Sequence, residues 1–368
     1  MPTFVHTADV HFDTPFSARF TPRQASLRRK EVMQTFQKIA DRAAEADLFL
    51  ISGDLFDGRY VSADTAAYLK RCFSSMPGTQ VLIAAGNHDP LTAESPYRTE
   101  EWSENVHIFG TEMEFVDFPQ WQIRIHGRSF GQQHEKQPLL SQLELAPDWT
   151  NVLVLHGELV SEGGNSIYNP IERPVLEQSG ADYAALGHVH QYSGLKRLGR
   201  TGFAYPGIPE GRGFDEEGRK GYLAGELRRN AVRAEWIPVS RRSFWHVDAD
   251  LTGMEDSMQV LEAAERALAQ AGGAEDLYKL SLTGRARRGL AQPEFLTEQL
   301  RDRAFYLEVL DKTVPDYTLE ELAEEPSLRG AFVSEMLERI AAMSETEKEI
   351  GLRAVRIGLE AMEGGQNG

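Results

Sequence analysis

Apolar residues follow two rhythms along the first half of the chain: short compact runs, and longer stretches in which they recur every three to four positions. The run at 3–8 reads as a buried strand, as do Leu48–Ser52 and Gln80–Ala84. Between the first two, Val32, Phe36, Ile39, Ala40 and Ala43 share one face of a helix spanning 22–46. Thr21 is placed to cap that helix, with Pro22 at its first position, where a missing N–H costs nothing. A second helix is expected over 62–75, and further strands at 105–109, 121–126, 152–156, 183–187 and 222–227. Strands alternating with helices point to a layered α/β architecture. Glycine and proline punctuate 202–221, which reads as an ordered loop or hairpin.

A second pattern starts at Arg242. Strands expected at 244–251, 277–283 and 304–311 alternate with helices at 255–271 and 293–303, giving a small β-α-β-α-β module. Beyond it the chain turns acid-rich and carries two apolar stripes at helical spacing. The first is Phe332, Val333, Met336, Leu337, Ile340 and Met343; the second is Leu352, Val355, Leu359 and Met362. Two fates are open to them: packing on the chain's own domains, or docking in a partner's groove with Phe332, Met336, Leu337 and Ile340 as anchors. The last six residues are expected to be disordered. The division is therefore 1–241, 242–318 and an acidic helical tail, 319–368.

Composition narrows the class. A chain of 368 residues, 41% hydrophobic, can build one large domain and one or two small ones. The single cysteine, Cys72, excludes an internal disulfide and fits a reducing compartment. The N-terminus lacks a basic segment followed by an apolar one, and no run approaches the ~20 apolar residues of a membrane span. A cytosolic protein with no membrane association is expected. The net charge of −17 excludes nucleic-acid binding by bulk charge, so any such binding needs local patches, metals or a partner.

Five of the ten histidines fall in short motifs that end or follow the apolar runs. These motifs are Asp9-Val10-His11, Gly53-Asp54-Leu55-Phe56-Asp57, Gly86-Asn87-His88-Asp89, His156-Gly157 and Gly187-His188-Val189-His190. Carboxyl ends of strands form the ligand crevice of α/β sheets, so five such ends can converge on one point. In an extended segment residues i and i+2 point the same way, which would aim Asp9 with His11, and His188 with His190, at one ion each. The glycines allow sharp turns beside the ions. Asp, Asn and His without Cys suit Mn2+, Fe2+ or Zn2+ better than a thiolate zinc site. Two such ions about 3.5–4 Å apart, sharing a carboxylate and a water, would generate a nucleophile for phosphoester hydrolysis. His88, beside Asn87, is placed to neutralise or protonate, with Asp89 to orient its imidazole. His6, His107, His126, His134 and His246 lack such context and default to core or surface roles.

The order of these motifs resembles the calcineurin-like metallophosphoesterase superfamily. The text His6-Thr-Ala-Asp-Val-His-Phe-Asp-Thr-Pro-Phe, Ala185-Leu-Gly-His-Val-His and Tyr205-Pro-Gly-Ile-Pro-Glu-Gly-Arg, followed by Gly218-Arg-Lys-Gly, resembles the bacterial SbcD-like DNA repair exonucleases of the YhaO type. The likeness covers residues 4–225; beyond them only the layout agrees. It implies a β-sandwich flanked by helices, followed by a small capping domain that the 244–311 module fits. It implies that Asp9, His11, Asp54 and His190 hold one ion and that Asp54, Asn87, His156 and His188 hold the other. Asp54 would then bridge, and His88 would be a catalytic residue that is not a ligand. One position departs: some nucleases of the family carry a histidine where Asp57 stands.

The resemblance further implies a Mn2+-dependent DNA exonuclease subunit acting with a coiled-coil ATPase of the SbcC type; a homodimer is open. Basic residues that can meet phosphates are Lys196, Arg197, Arg200, Arg212, Arg219, Lys220, Arg285, Arg287 and Arg288, with Arg212 taken as the substrate-binding residue. Two alternatives remain at this level. One is a phosphodiesterase on a nucleotide or other small diester. The other is a non-catalytic subunit that binds DNA ends or the ATPase.

Overall fold

The computed structural model describes the whole chain except residues 59–60, 141, 288 and 365–368. Arg288 and most of the terminal segment expected to be disordered therefore lie outside the described residues. The chain divides into two compact units, Met1–Trp245 and His246–Gly368.

In the first unit two six-stranded sheets face each other. One runs in the order Ala231–Pro238, Gly221–Arg228, Thr3–Thr7, Leu48–Ser52, Gln80–Ala84 and Val106–Ile108. The other runs Lys196–Leu198, Thr201–Ala204, Tyr183–Gly187, Thr150–His156, Ile123–Arg128 and Glu114–Phe118. The central strands are parallel, with Phe4 opposite Leu48, Leu48 opposite Gln80, and Tyr183 opposite Val152. Alternate side chains fill the space between the sheets: Phe4, Leu50 and Leu82 from one, Ile125, Val152 and Tyr183 from the other. The remaining side chains face outward onto helices. Phe49 meets Phe36 of helix Pro22–Ala43 and Phe73 of helix Ala63–Ser74. On the opposite outer face, Leu153, Leu155 and Leu186 pack with Leu176 of the short helix Arg173–Gln178. Being covered on both faces, the central strands read as continuous apolar runs. The layered sandwich flanked by helices matches the expectation from sequence.

Thr21 caps its helix as expected, and Gln24, three residues on, completes a capping box. Cys72 is buried as a free thiol. No helix among the described residues is long and apolar enough to cross a membrane.

Strand Phe244–Asp250 leads into the second unit, where it forms a sheet with Leu277–Thr283 and Tyr306–Asp311. Helices Ser257–Ala271 and Pro293–Gln299 complete the β-α-β-α-β module. Three further helices follow: Leu319–Ala323, Leu328–Ala341 and Glu345–Gly364. Leu322, Val333, Ile340, Val355 and Leu359 form one core, with Phe332, Met336 and Leu337 packed against it. The anchors read as free to enter a partner's groove are therefore occupied within the unit. The two stripes meet each other.

Candidate metal centre

All five motifs converge at the carboxyl ends of the parallel strands. Gly187 pairs with His156 across neighbouring strands. A Cβ on Gly187 would strike the carbonyl of Ser52, and one on Gly86 would strike the Asp54 carboxylate. These two glycines are needed for close approach. Gly53, at φ 87°, is needed for approach and turn alike: its backbone is left-handed and a Cβ there would strike the His156 ring.

Asp9 and His11 do not lie in the extended backbone expected from their i, i+2 spacing. Both are left-handed, at φ 55° and 51°, as is Asp54 at 51°; His188 lies at 109°. Such residues cost roughly 1–3 kcal/mol each and persist only where their surroundings over-determine them. Here the loops brace one another: Asp9 N donates to Gly53 O at 3.0 Å, His11 N to Asp54 O at 3.0 Å and Phe12 N to Leu55 O at 2.9 Å. Asp and His are among the residues that tolerate this region best.

The seven residues singled out as ligands come together. Asp9, His11 and His190 each offer a donor atom within 4.8 Å of the others, and so do Asp9, Asp54 and His156. Oδ2 of Asp54 lies 3.4 Å from His156 Nε2 and 3.7 Å from His11 Nε2, between the two groups. Asn87 Oδ1 lies 2.9 Å from His156 Nε2 and 3.2 Å from His188 Nδ1.

Protonation shows what this cluster can hold. Burial pushes His156 from 6.5 down to about 3, so its ring is neutral. Its Nδ1 is 2.9 Å from the Ser52 carbonyl, which can only accept, so the proton sits there and Nε2 presents a lone pair. That lone pair faces the oxygens of Asn87 and Asp54. Burial likewise lowers His11 and His188 to about 4 each. His11 turns Nδ1 toward Asp57 at 3.3 Å and Nε2 toward His190 Nε2, also at 3.3 Å. Burial would lower His190, but its bond to Glu216 and the charge of Asp9 raise it, so a proton on His190 Nε2 can bridge to the lone pair of His11, in the place a divalent cation would take. The donors are oxygen and imidazole nitrogen only, which fits borderline-to-hard ions. Burial also pushes the Asp9 carboxyl up, a shift that a cation beside it would reverse.

Two groups around the cluster go beyond the motif reading. Glu216, buried, holds His190 Nδ1 at 2.6 Å. Burial alone would raise this carboxyl, but the bond to His190 and the charge of Arg212 hold it down at about 2. Nothing in Asp215-Glu216-Glu217 distinguishes the middle acid in sequence. Asp57 lies 3.0 Å from His88 Nδ1. Its signal is the second acid of Gly-Asp-x-x-Asp. The role assigned to Asp89 is corrected accordingly. The Asp89 carboxylate accepts from the backbone N–H groups of Asp54, Leu55, Phe56 and Gly86 and from the Tyr97 hydroxyl. It fastens two motif loops together and does not orient His88.

Arg212 reaches the rim, with Nη1 3.5 Å from Asp57 Oδ1 and Nε 3.5 Å from Glu216 Oε1. Lys220, one of the expected phosphate contacts, is instead buried, with its ammonium bound to Gln191 Oε1 and the Glu217 carbonyl. In the second unit Arg285 and Arg287 line a cleft of about 780 Å³ together with Arg329 and Arg356.

Residues 2–192 match the calcineurin-like phosphoesterase family. The chain is 27% identical to the uncharacterized metallophosphoesterase YhaO of Bacillus subtilis, over 95% of this chain and 83% of that one. It is 24% identical to the DNA double-strand break repair protein Mre11 of Methanopyrus kandleri, over 95% and 81%. Against a subunit of the nuclease SbcCD from Staphylococcus epidermidis, identity is 24% over 64% and 69%.

Proposed function

The chain belongs to the calcineurin-like phosphoesterase family, and on that premise we propose that it is a two-metal phosphodiester hydrolase that degrades DNA as an exonuclease subunit beside a coiled-coil ATPase. The observation that carries the hydrolytic part is the convergence of Asp9, His11, Asp54, Asn87, His156, His188 and His190, with the rings of His11, His156 and His188 held neutral by burial. DNA as substrate is supported by the relatives, of which one is a DNA double-strand break repair protein and another a subunit of the SbcCD nuclease, and the ATPase by the resemblance to SbcD-like subunits.

In this reading Asp9, His11, Asp54 and His190 hold one ion and Asp54, Asn87, His156 and His188 the other. When bound, two such ions polarise phosphoryl oxygens and lower the pKa of water to near neutrality. The position of Asp54 Oδ2 between His11 and His156 suits the bridging role. Ser52 O and Glu216 fix the tautomers of His156 and His190, as outer partners of metal-binding histidines do. Asp57 takes the Nδ1 proton of His88 as a hydrogen bond, leaving Nε2 to face a phosphate and protonate the departing oxygen. Arg212 offsets charge on the phosphate. The four arginines of the second-unit cleft give an otherwise acidic chain a local surface for the DNA backbone.

The test is hydrolysis by the purified full chain of linear duplex DNA and of a small phosphodiester, in Mn2+, Mg2+ and chelator. Metal-dependent release of nucleotides from DNA ends is expected. Turnover of the small diester with DNA left intact would replace this reading with that of a small-molecule phosphodiesterase.

A further inference from the structure

Three rings follow one another outward from the donor cluster. Tyr168 lies 4.9 Å from His188, centroid to centroid, with planes tilted 42°; His134 lies 5.7 Å from Tyr168, tilted 30°. Tyr168 is half-buried, His134 is exposed, and the neighbouring Ile167 is 42% exposed. Neither Tyr168 nor His134 has a part in the hydrolytic chemistry. The Tyr168 hydroxyl has no hydrogen-bond partner among the described residues.

The rings stand on loops that are fastened to the cluster. Asn169 is fully buried and left-handed, at φ 49°. Its Nδ2 donates to His156 O at 2.6 Å, its Oδ1 accepts from Leu139 N at 2.7 Å, and its backbone N donates to Glu135 O at 2.7 Å. A bridge also pairs Glu135 with Tyr168. One buried side chain thus ties the loop of Tyr168 and the loop of His134 to the strand end that carries His156. A left-handed non-glycine residue is tolerated where such bonds over-determine it. The aromatic face is therefore preorganised, one ring away from a proposed ligand.

We propose that Tyr168 and His134 form a stacking platform for the nucleobase that flanks the scissile phosphate. The proposal rests on the reading of the site as one that cleaves nucleic acid. A phosphate held at the cluster brings its flanking nucleotide within reach of these rings. Every base has a π face, so stacking of this kind tolerates any sequence, as an exonuclease requires. The exposed outer face of His134 continues the stack into solvent, and Ile167 offers an apolar flank to the sugar and base.

The test uses full-length, metal-loaded protein carrying His88→Ala to suppress turnover. An oligonucleotide with 2-aminopurine as its terminal base is titrated in, and its fluorescence is read. Quenching is expected on the His88→Ala background. Adding Tyr168→Ala should abolish the quenching and weaken binding roughly 5- to 150-fold, the weight of one base–aromatic stack. Tyr168→Phe should restore both, and the surface change His134→Ala should give a partial loss. With His88 intact, Tyr168→Ala should raise KM for base-bearing DNA and leave KM unchanged for an oligonucleotide whose terminal nucleotides are abasic. Equal effects on base-bearing and abasic DNA, or unchanged quenching in Tyr168→Ala, would overturn the platform while leaving the nuclease standing. Absence of oligonucleotide binding and cleavage by the wild type, with a small diester still hydrolysed, would overturn both.

Discussion

Oδ1 of Asp57 lies 3.0 Å from Nδ1 of His88. The same oxygen is 3.3 Å from His11 Nδ1, while Thr14 donates its hydroxyl to Oδ2 at 2.8 Å. Burial alone would raise this carboxyl, but the His11 and His88 rings beside it hold it well below the usual carboxylate range. An acid that stays ionised fixes the His88 proton on Nδ1. His88→Ala should keep its metals and lose about 10²–10⁴ in kcat, the weight of a positioned acid or base. Asp57→Asn keeps the shape but not the charge, and should move kcat at saturating metal in the same direction; because the same oxygen faces the proposed ligand His11, metal affinity should fall as well. Normal turnover in His88→Ala would remove this pair from the chemistry.

Asp54 stands where both groups of donors meet. Asp54→Ala should lose activity together with most of the metal, which should approach two ions per wild-type chain by elemental analysis. A variant that retained two ions and full activity would show that the ligand assignment is wrong.

Glu216 touches no substrate position, yet it sets the orientation and basicity of His190. Glu216→Gln should weaken metal affinity 10- to 100-fold, as loss of an outer partner does. Activity should recover when the metal is raised to saturation. Affinity at the wild-type level would reduce Glu216 to a loop brace for Arg212, whose backbone N–H it also accepts.

Most buried strands were legible because burial leaves a plain trace; Thr201–Ala204, fully buried inside the second sheet, was not, because the glycines and prolines that follow made 202–221 read as loop. Leu48–Ser52, Gln80–Ala84 and Tyr183–Gly187 sit in the sheets with the limits their apolar runs predict. Edge strands left weaker traces. Ala231–Pro238 alternates half-buried and exposed residues, and Lys196–Leu198 is mostly exposed, so neither stood out. The seven donors were legible from their motifs, but the geometry that gathers them was not. Left-handed backbone at Asp9, His11 and Asp54 is a product of loops bracing one another, and no spacing rule reports it. Partners far apart in sequence were out of reach for the same reason: His190 with Glu216, and Asp89 with the amides of another motif.

His6 carries no motif, so core or surface is its default place, and the core is where it lies. It sits between the sheets, with Nδ1 2.8 Å from the Tyr183 hydroxyl and Nε2 3.0 Å from the Ser52 hydroxyl. Burial lowers its pKa from 6.5 to about 3. Between those values the unfolded chain binds a proton that the folded chain refuses. Its contribution to stability is therefore complete above about pH 6.5 and is lost as pH falls toward 3, at about 1.4 kcal/mol per pH unit. His6→Gln cannot titrate. In chelator-treated protein, its plot of unfolding free energy against pH should lack that slope between about pH 6 and 4. Parallel curves for the two proteins would show that His6 is not held neutral.

The tail offers a choice that packing decides. Read as partner anchors, Phe332, Met336, Leu337 and Ile340 would be dispensable for folding, and a chain cut after Leu328 would stay sound. In the structure Ile340 is 6% exposed, and Phe332 lies so close to Gly358 that a Cβ there would strike its ring. Val333, Val355 and Leu359 close over Leu322, with Tyr317 and Leu319 beside it. Removing residues 329–368 would strip the cover from all three. The truncated chain should therefore melt well below the full chain or aggregate. Point changes separate packing from length: Leu359→Ala should cost about 2–5 kcal/mol, as truncation of a buried leucine does. Ile357, 57% exposed, should tolerate Ile357→Ser within about 0.5 kcal/mol. Both variants keep the full chain, so a drop confined to Leu359→Ala assigns the stripes to the protein's own core. If instead the truncated chain melts like the intact one and Leu359→Ala is silent, the helices fold for a partner and the contacts between the stripes do not hold them.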